Sequence, residues 1–363
     1  MKGLYTLLIC LVILALHAAA VGGALPAGIL PPEEPVDNPA TTAKVELGRK
    51  LYFDKRLSVD DTVSCATCHE PEKGFADGKK VAEGIGGKKG TRNSPTTLNA
   101  AFLELQFWDG RAVTLEEQAK GPLINPVEMG MPSHEALEKK LRDIPEYRKG
   151  FKKTFGTESF TIDHVAKAIA AFERTLVSAS SPFDRFIAGD KGAISDDAKA
   201  GWVLFNGKAR CATCHGFISV YPFFTNNKFH NIGVAMKDAN FEKLAREAQK
   251  GTATPEELAF REGVAELGRF IVTREPKDIG AFKTPGLRNV ALTAPYMHDG
   301  SEPTLEAVID FYDKGGVLNP NLDGGMVPLN LLKKEKSQLV EFMKALTSDD
   351  IAQLIKSSQG GGR

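Results

Sequence analysis

Two pentads carry the chemistry of this chain: Cys65-Ala66-Thr67-Cys68-His69 and Cys211-Ala212-Thr213-Cys214-His215. In each, two thiols three positions apart can bond to the vinyl groups of a haem, and the adjacent histidine can reach the iron as proximal ligand. A thioredoxin-like dithiol or half of a zinc site also uses Cys-x-x-Cys, but neither needs a histidine directly after it, twice, with the same Ala-Thr filler. Four of the five cysteines in the 363 residues belong to the pentads. The fifth, Cys10, lies in the N-terminal hydrophobic segment, so no pair remains for a structural disulfide. Two covalently bound haem c groups are therefore expected.

The N-terminus reads as an export signal. Lys2 supplies the positive end, residues 7–16 an aliphatic run, and Ala18-Ala19-Ala20 or Gly22-Gly23-Ala24 the small residues a signal peptidase accepts. The run is short for a membrane span and no basic stop-transfer follows. Cys10 sits inside the apolar run, ahead of the small residues, which argues against a lipoprotein anchor. The expected mature protein is periplasmic, with no membrane anchor after cleavage. With 46 acidic and 46 basic residues the net charge is zero, which gives no global reason to expect nucleic acid or membrane surfaces as partners.

The elements that must hold the haems read as helices. Apolar residues recur at three- and four-residue spacing over 43–53, 97–105, 134–142, 162–176, 196–205, 305–312 and 334–346, with Ser133, Ser195 and Thr304 as N-caps. No stretch shows sustained strand alternation. The expected fold is mainly α, with two cytochrome c-like helical domains, each binding one covalently attached haem. The expected division is a signal peptide over 1–24, a proline-rich linker over 25–39, an N-terminal haem domain over 40–190, a C-terminal haem domain over 191–350 and a tail over 351–363. Long connections such as 75–95 and 221–233 would wrap the macrocycles. The charged stretch 241–274 reads as helical, and as a solvated insertion in preference to a partner-docking surface. Trp202 reads as core filler, as a lone tryptophan usually does.

Beyond the pentads run Arg92-Asn93-Ser94-Pro95-Thr96-Thr97-Leu98-Asn99-Ala100, Gln106-Phe107-Trp108-Asp109-Gly110-Arg111, and Asn125-Pro126-Val127-Glu128-Met129. The second half carries Lys283-Thr284-Pro285-Gly286-Leu287-Arg288-Asn289-Val290 and Thr293-Ala294-Pro295-Tyr296-Met297-His298-Asp299-Gly300. This ordered set resembles the bacterial dihaem cytochrome c peroxidase family, which includes the MauG-type proteins, over roughly residues 40 to 348. The resemblance implies a peroxidatic haem at His69 and an electron-transfer haem at His215. It implies Glu128 and Gln118 as the catalytic pair beside the first haem, near Pro122, and Trp108 as an electron relay between the haems. Breaking the O–O bond needs a group that moves a proton between the two peroxide oxygens, and Glu128 is the candidate. The resemblance also implies one Ca²⁺ between the domains, held by the side-chain oxygen of Asn93 and the backbone oxygens of Thr293 and Pro295. Related proteins are often homodimers.

Two departures from the family's peroxidase pattern bear on mechanism. Many members place a distal histidine in the loop after the first pentad; here no histidine occurs between His69 and His134, and the loop reads Glu83-Gly84-Ile85-Gly86-Gly87. A five-coordinate first haem is expected. Where the peroxidases place an axial methionine at the second haem, this chain has Tyr312, as the MauG-type proteins do. A phenolate stabilises oxidised iron, whereas a thioether favours ferrous iron. Met297 and Met326 are the alternative sixth ligands. The expected function is reduction of hydrogen peroxide to water with electrons from a small c-type cytochrome or cupredoxin. The alternatives are MauG-like, peroxide-dependent oxidation of residues in a partner protein, and a non-enzymatic dihaem electron carrier.

Overall fold

Capping side chains set where the principal helices begin. Thr41 accepts from the Lys44 N–H, Thr114 from Glu117, Ser195 from Ala198 and Thr304 from Ala307, each satisfying a backbone donor that the first turn leaves free. They open α1 (Thr42–Phe53), α2 (Leu115–Ile124), α4 (Asp196–Asn206) and α5 (Leu305–Asp313); α3 (Ile162–Glu173) and α6 (Lys333–Lys344) complete the set. The computed structural model describes residues 29–235 and 241–360. The expected export signal, with Cys10, lies outside the described residues.

The six helices form two copies of one arrangement. In the first half α1 crosses α3 at Gly48, where an added methyl would lie 1.8 Å from the Ala168 carbonyl oxygen. In the second, α4 crosses α6 at Gly201, where it would lie 2.0 Å from the Gln338 carbonyl oxygen. Only glycine lets the backbones approach so closely. Each crossing carries an apolar core: Leu51, Tyr52, Leu137, Phe151, Val165 and Phe172 in one, Phe183, Phe205, Phe224, Leu339, Phe342 and Leu346 in the other. The helix Ile351–Ser358 returns to the first half and lays Ile351, Leu354 and Ile355 against its core.

The connections repeat as well. Asn99 and Asn289 both adopt φ of 60°, the left-handed region that asparagine tolerates, and each opens a single helical turn, Ala100–Phe102 or Val290–Leu292. The helix expected over 97–105 is thus one turn. Asn99 breaks it by exchanging hydrogen bonds with Ser178, its amide donating at 2.8 Å and its oxygen accepting at 2.9 Å. Paired bridges, Gln106 with Ala112 and Tyr296 with Glu302, then lead into Thr114 and Thr304.

The stretch 241–274 is not a solvated insertion. Phe241, Ala245, Leu258, Leu267, Phe270 and Ile271 bury their side chains in a third core with Phe282, against which Trp108 packs. Strand pairing among the described residues is one short ladder, Phe229–His230 against Phe282–Lys283.

Candidate functional site

Both pentads face one continuous cavity, lined by Cys65, Cys68 and His69 from one half and by Cys211, Cys214 and His215 from the other. The His69 ring nitrogen Nδ1 is held by the Phe75 carbonyl at 3.3 Å, and His215 Nδ1 by the Phe224 carbonyl at 2.9 Å. Anchoring Nδ1 this way fixes ring and tautomer and leaves Nε2 to coordinate iron. Burial lowers the pKa of both imidazoles, that of His215 to about 4, so both are neutral and able to ligate. The four pentad cysteines are free of disulfides, and burial pushes the Cys68 and Cys211 thiols up to about 12. Among the described residues no cluster of three or more His, Cys, Asp or Glu is placed to chelate a free metal ion.

Orphaned carboxyl oxygens point to a missing polar occupant. Glu128 Oε2 and Glu173 Oε2 are buried without a hydrogen-bond partner, and both residues line the cavity. An unpaired buried oxygen costs about 1–3 kcal/mol, a penalty that a group seated in the cavity could relieve. Burial raises the pKa of Glu128 to about 7 and that of Glu173 to about 8; Arg111 opposes the shift at Glu128, and Arg174 at Glu173. The residues present thus fit two haem c groups.

In the first half, one wall of the cavity is built from α2 and the turn after it. Leu115, Gln118, Ala119 and Pro122 share the face of α2 that meets the cavity. Asn125 folds the next turn, its side-chain oxygen accepting from Val127 N at 2.9 Å and its carbonyl from Gly130 N at 2.8 Å, which delivers Glu128 to the cavity. The loop 83–87, without its histidine, lies directly against this turn: Ile85 N donates to the Glu128 carbonyl at 2.9 Å, and a methyl on Gly84 would meet the Val127 carbonyl oxygen at 1.9 Å. His134 lies outside the cavity lining, its ring nitrogen Nε2 donating to the Lys120 carbonyl at 3.0 Å.

In the second half α5 supplies Tyr312 to the cavity. Burial pushes its phenol well above the usual value, the Cys211 and Cys214 thiols adding to the effect, and the hydroxyl has no hydrogen-bond partner among the described residues. Counted from the capping Thr114 and Thr304, Pro122 on α2 and Tyr312 on α5 occupy the same position of the repeated helix. The first half therefore has a side chain with no donor atom where the second has a phenol. Met297 and Met326 also line the cavity.

Trp108 is tied to both halves. Its indole N–H donates to the Asn93 carbonyl at 2.9 Å, and its own carbonyl accepts from Lys283 N at 2.8 Å. Around it lie groups the sequence reading did not single out. Arg92 and Arg111 hold the buried Asp109 below the usual carboxylate range, although burial opposes them. Lys283 is buried, its Nζ on the Leu105 carbonyl at 2.7 Å, and burial lowers its pKa to about 7. The calcium candidates Asn93, Thr293 and Pro295 line the same space. Asn93 spends its amide donor on the Lys79 carbonyl at 2.8 Å, which leaves the side-chain oxygen as the acceptor a cation needs.

Comparison with known proteins gives a consistent answer. A family model described as di-haem cytochrome c peroxidase matches residues 42–192. The chain is 38% identical to the cytochrome-c peroxidase IdrP1 of Pseudomonas sp. (strain SCT), across 90% of this chain and 86% of that protein. It is 40% identical to the methylamine utilization protein MauG of Methylorubrum extorquens, across 88% and 82%. A solved MauG-like protein associated with microbial copper homeostasis superposes with a TM-score of 0.77 at 32% identity, covering 94% of this chain and 99% of that one.

Proposed function

The chain belongs to the di-haem cytochrome c peroxidase family, and from that membership we propose a division of labour: the half around His69 consumes hydrogen peroxide, and the half around His215 holds and delivers electrons. The protein is an oxidoreductase acting on peroxide. When bound, the haem at His69 supplies an iron that takes peroxide and two oxidising equivalents. The reaction joins one hydrogen peroxide, two protons and two electrons to give two waters.

The observation that carries the proposal is the pairing of Pro122 with Tyr312 at one position of a repeated helix. Tyr312 would offer a phenol oxygen to an iron held at His215, whereas Pro122 has no donor atom to offer one held at His69 and would leave room there for peroxide. Glu128, partly ionised near neutral pH, accepts a proton from the bound peroxide and returns it to the departing oxygen. Gln118 orients the peroxide from the neighbouring turn of α2, and Trp108 divides the electron path between the halves. Asn93, Thr293 and Pro295 would hold a calcium ion that fixes the two halves against each other.

The proposed electron donor is a small c-type cytochrome or cupredoxin in the periplasm. A second reading, oxidation of residues in a partner protein, is favoured by Tyr312, since an anionic oxygen ligand stabilises oxidised iron. Turnover of peroxide with a reduced small cytochrome, set beside mass gain in candidate periplasmic proteins, separates the two. Peroxide consumption with neither donor oxidation nor mass gain would leave the proposed electron path without support.

A further inference from the structure

Glu256 belongs to the short helix Pro255–Ala259 in the third core, yet its carboxylate reaches the distal side of the first half. One oxygen accepts from Arg111 Nε at 2.6 Å and the other from Asn125 Nδ2 at 3.3 Å. The same segment is pinned to the first half at two more points, Thr91 Oγ1 donating to the Ala259 carbonyl at 2.6 Å and Arg92 to the Ala265 carbonyl at 2.7 Å. Both residues that Glu256 holds act on Glu128. Asn125 shapes the turn that delivers it, through the bonds to Val127 N and Gly130 N. Arg111, lying over the Phe107 ring at 3.5 Å, is the cation that favours its charged form.

We propose that Glu256 is a positioning residue of the peroxide pocket: from the second half of the chain it clamps Arg111 and Asn125, and through them fixes where Glu128 stands and how readily it gives up its proton. The proposal rests on the peroxidase reading of the first haem. The groups that face Glu128 are Arg111 and Glu256, with the Cys65 and Cys68 sulfurs on the pentad side. Glu256 opposes ionisation of Glu128 directly, and it also neutralises part of the Arg111 charge. Removing it frees that cation, so Glu128 ionises at lower pH.

Fluoride reports this without turnover, because a small anion at an open ferric haem is held when the neighbouring acid is protonated and repelled when it is charged. In the oxidised holoprotein, Glu256→Gln and Glu256→Ala should each move the pH at which fluoride affinity falls downward by about one unit, with haem content and the second haem's spectrum unchanged. Fluoride binding whose pH midpoint is the same in both variants and the parent overturns the clamp and leaves the peroxidase reading standing. A parent holoprotein that takes up no fluoride at any pH overturns that reading and the clamp with it.

Discussion

Replacing Glu128 with glutamine removes a proton acceptor and keeps its shape. Burial moves this carboxyl from 4.5 to about 7, with Glu256 adding and Arg111 opposing. At ~1.4 kcal/mol per pH unit, that is about 3 kcal/mol against the charged form. Neutral peroxide gives up a proton only to the carboxylate. The rate constant for peroxide reacting with the oxidised holoprotein should therefore rise about tenfold per pH unit up to about pH 7 and level off above it. An ordinary glutamate would have levelled off at about pH 4.5. Glu128→Gln should abolish the pH dependence and lower the plateau by roughly 10²–10⁴-fold, the usual worth of a positioned acid–base group, with both haems still covalently attached. Stopped-flow absorbance of the haem band between about pH 5 and 9 measures both quantities. A parent profile that is flat across that range, or a glutamine variant as fast as the parent, would refute the assignment of proton transfer to Glu128.

Other perturbations address the second half and the scaffold. Tyr312→Met should raise the reduction potential of the second haem, since thioether favours ferrous iron; redox titration checks this, and an unchanged spectrum and potential would remove Tyr312 from the coordination sphere. Gly201→Ala places a methyl 2.0 Å from the Gln338 carbonyl oxygen and 2.8 Å from Phe342 Cβ, so α4 and α6 must separate, at a cost of about 1–3 kcal/mol. Thermal melts should show a lowered Tm for it but little change for Gly324→Ala, where the added methyl meets nothing within 4 Å.

The pentads were legible because covalent attachment demands fixed types at fixed spacing, whatever the surrounding fold. Helices α1, α4, α5 and α6 were legible from apolar periodicity, and the caps Ser195 and Thr304 marked the starts of α4 and α5. The turn at Asn99 was not, because the bonds that hold it come from Ser178, far along the chain. The third core escaped for a similar reason: half of its helix Phe241–Lys250 is charged, and the core that buries Phe241 and Ala245 is completed by residues as distant as Phe270 and Phe282. Glu173 did leave a signal, a carboxylate on the buried stripe of α3 beside Val165, Ala166, Ile169 and Phe172. Glu256 left none, since its partners Arg111 and Asn125 lie in the other half of the chain. The repeat that sets Pro122 opposite Tyr312 could have been found by aligning Thr114 with Thr304.

The account stands on one iron being open and the other closed. Low-temperature electron paramagnetic resonance of the oxidised holoprotein, before and after adding cyanide, tests this directly. The predicted result is one high-spin ferric signal that becomes low-spin with cyanide, beside one low-spin signal that does not change. Two low-spin signals, both indifferent to cyanide, would contradict it.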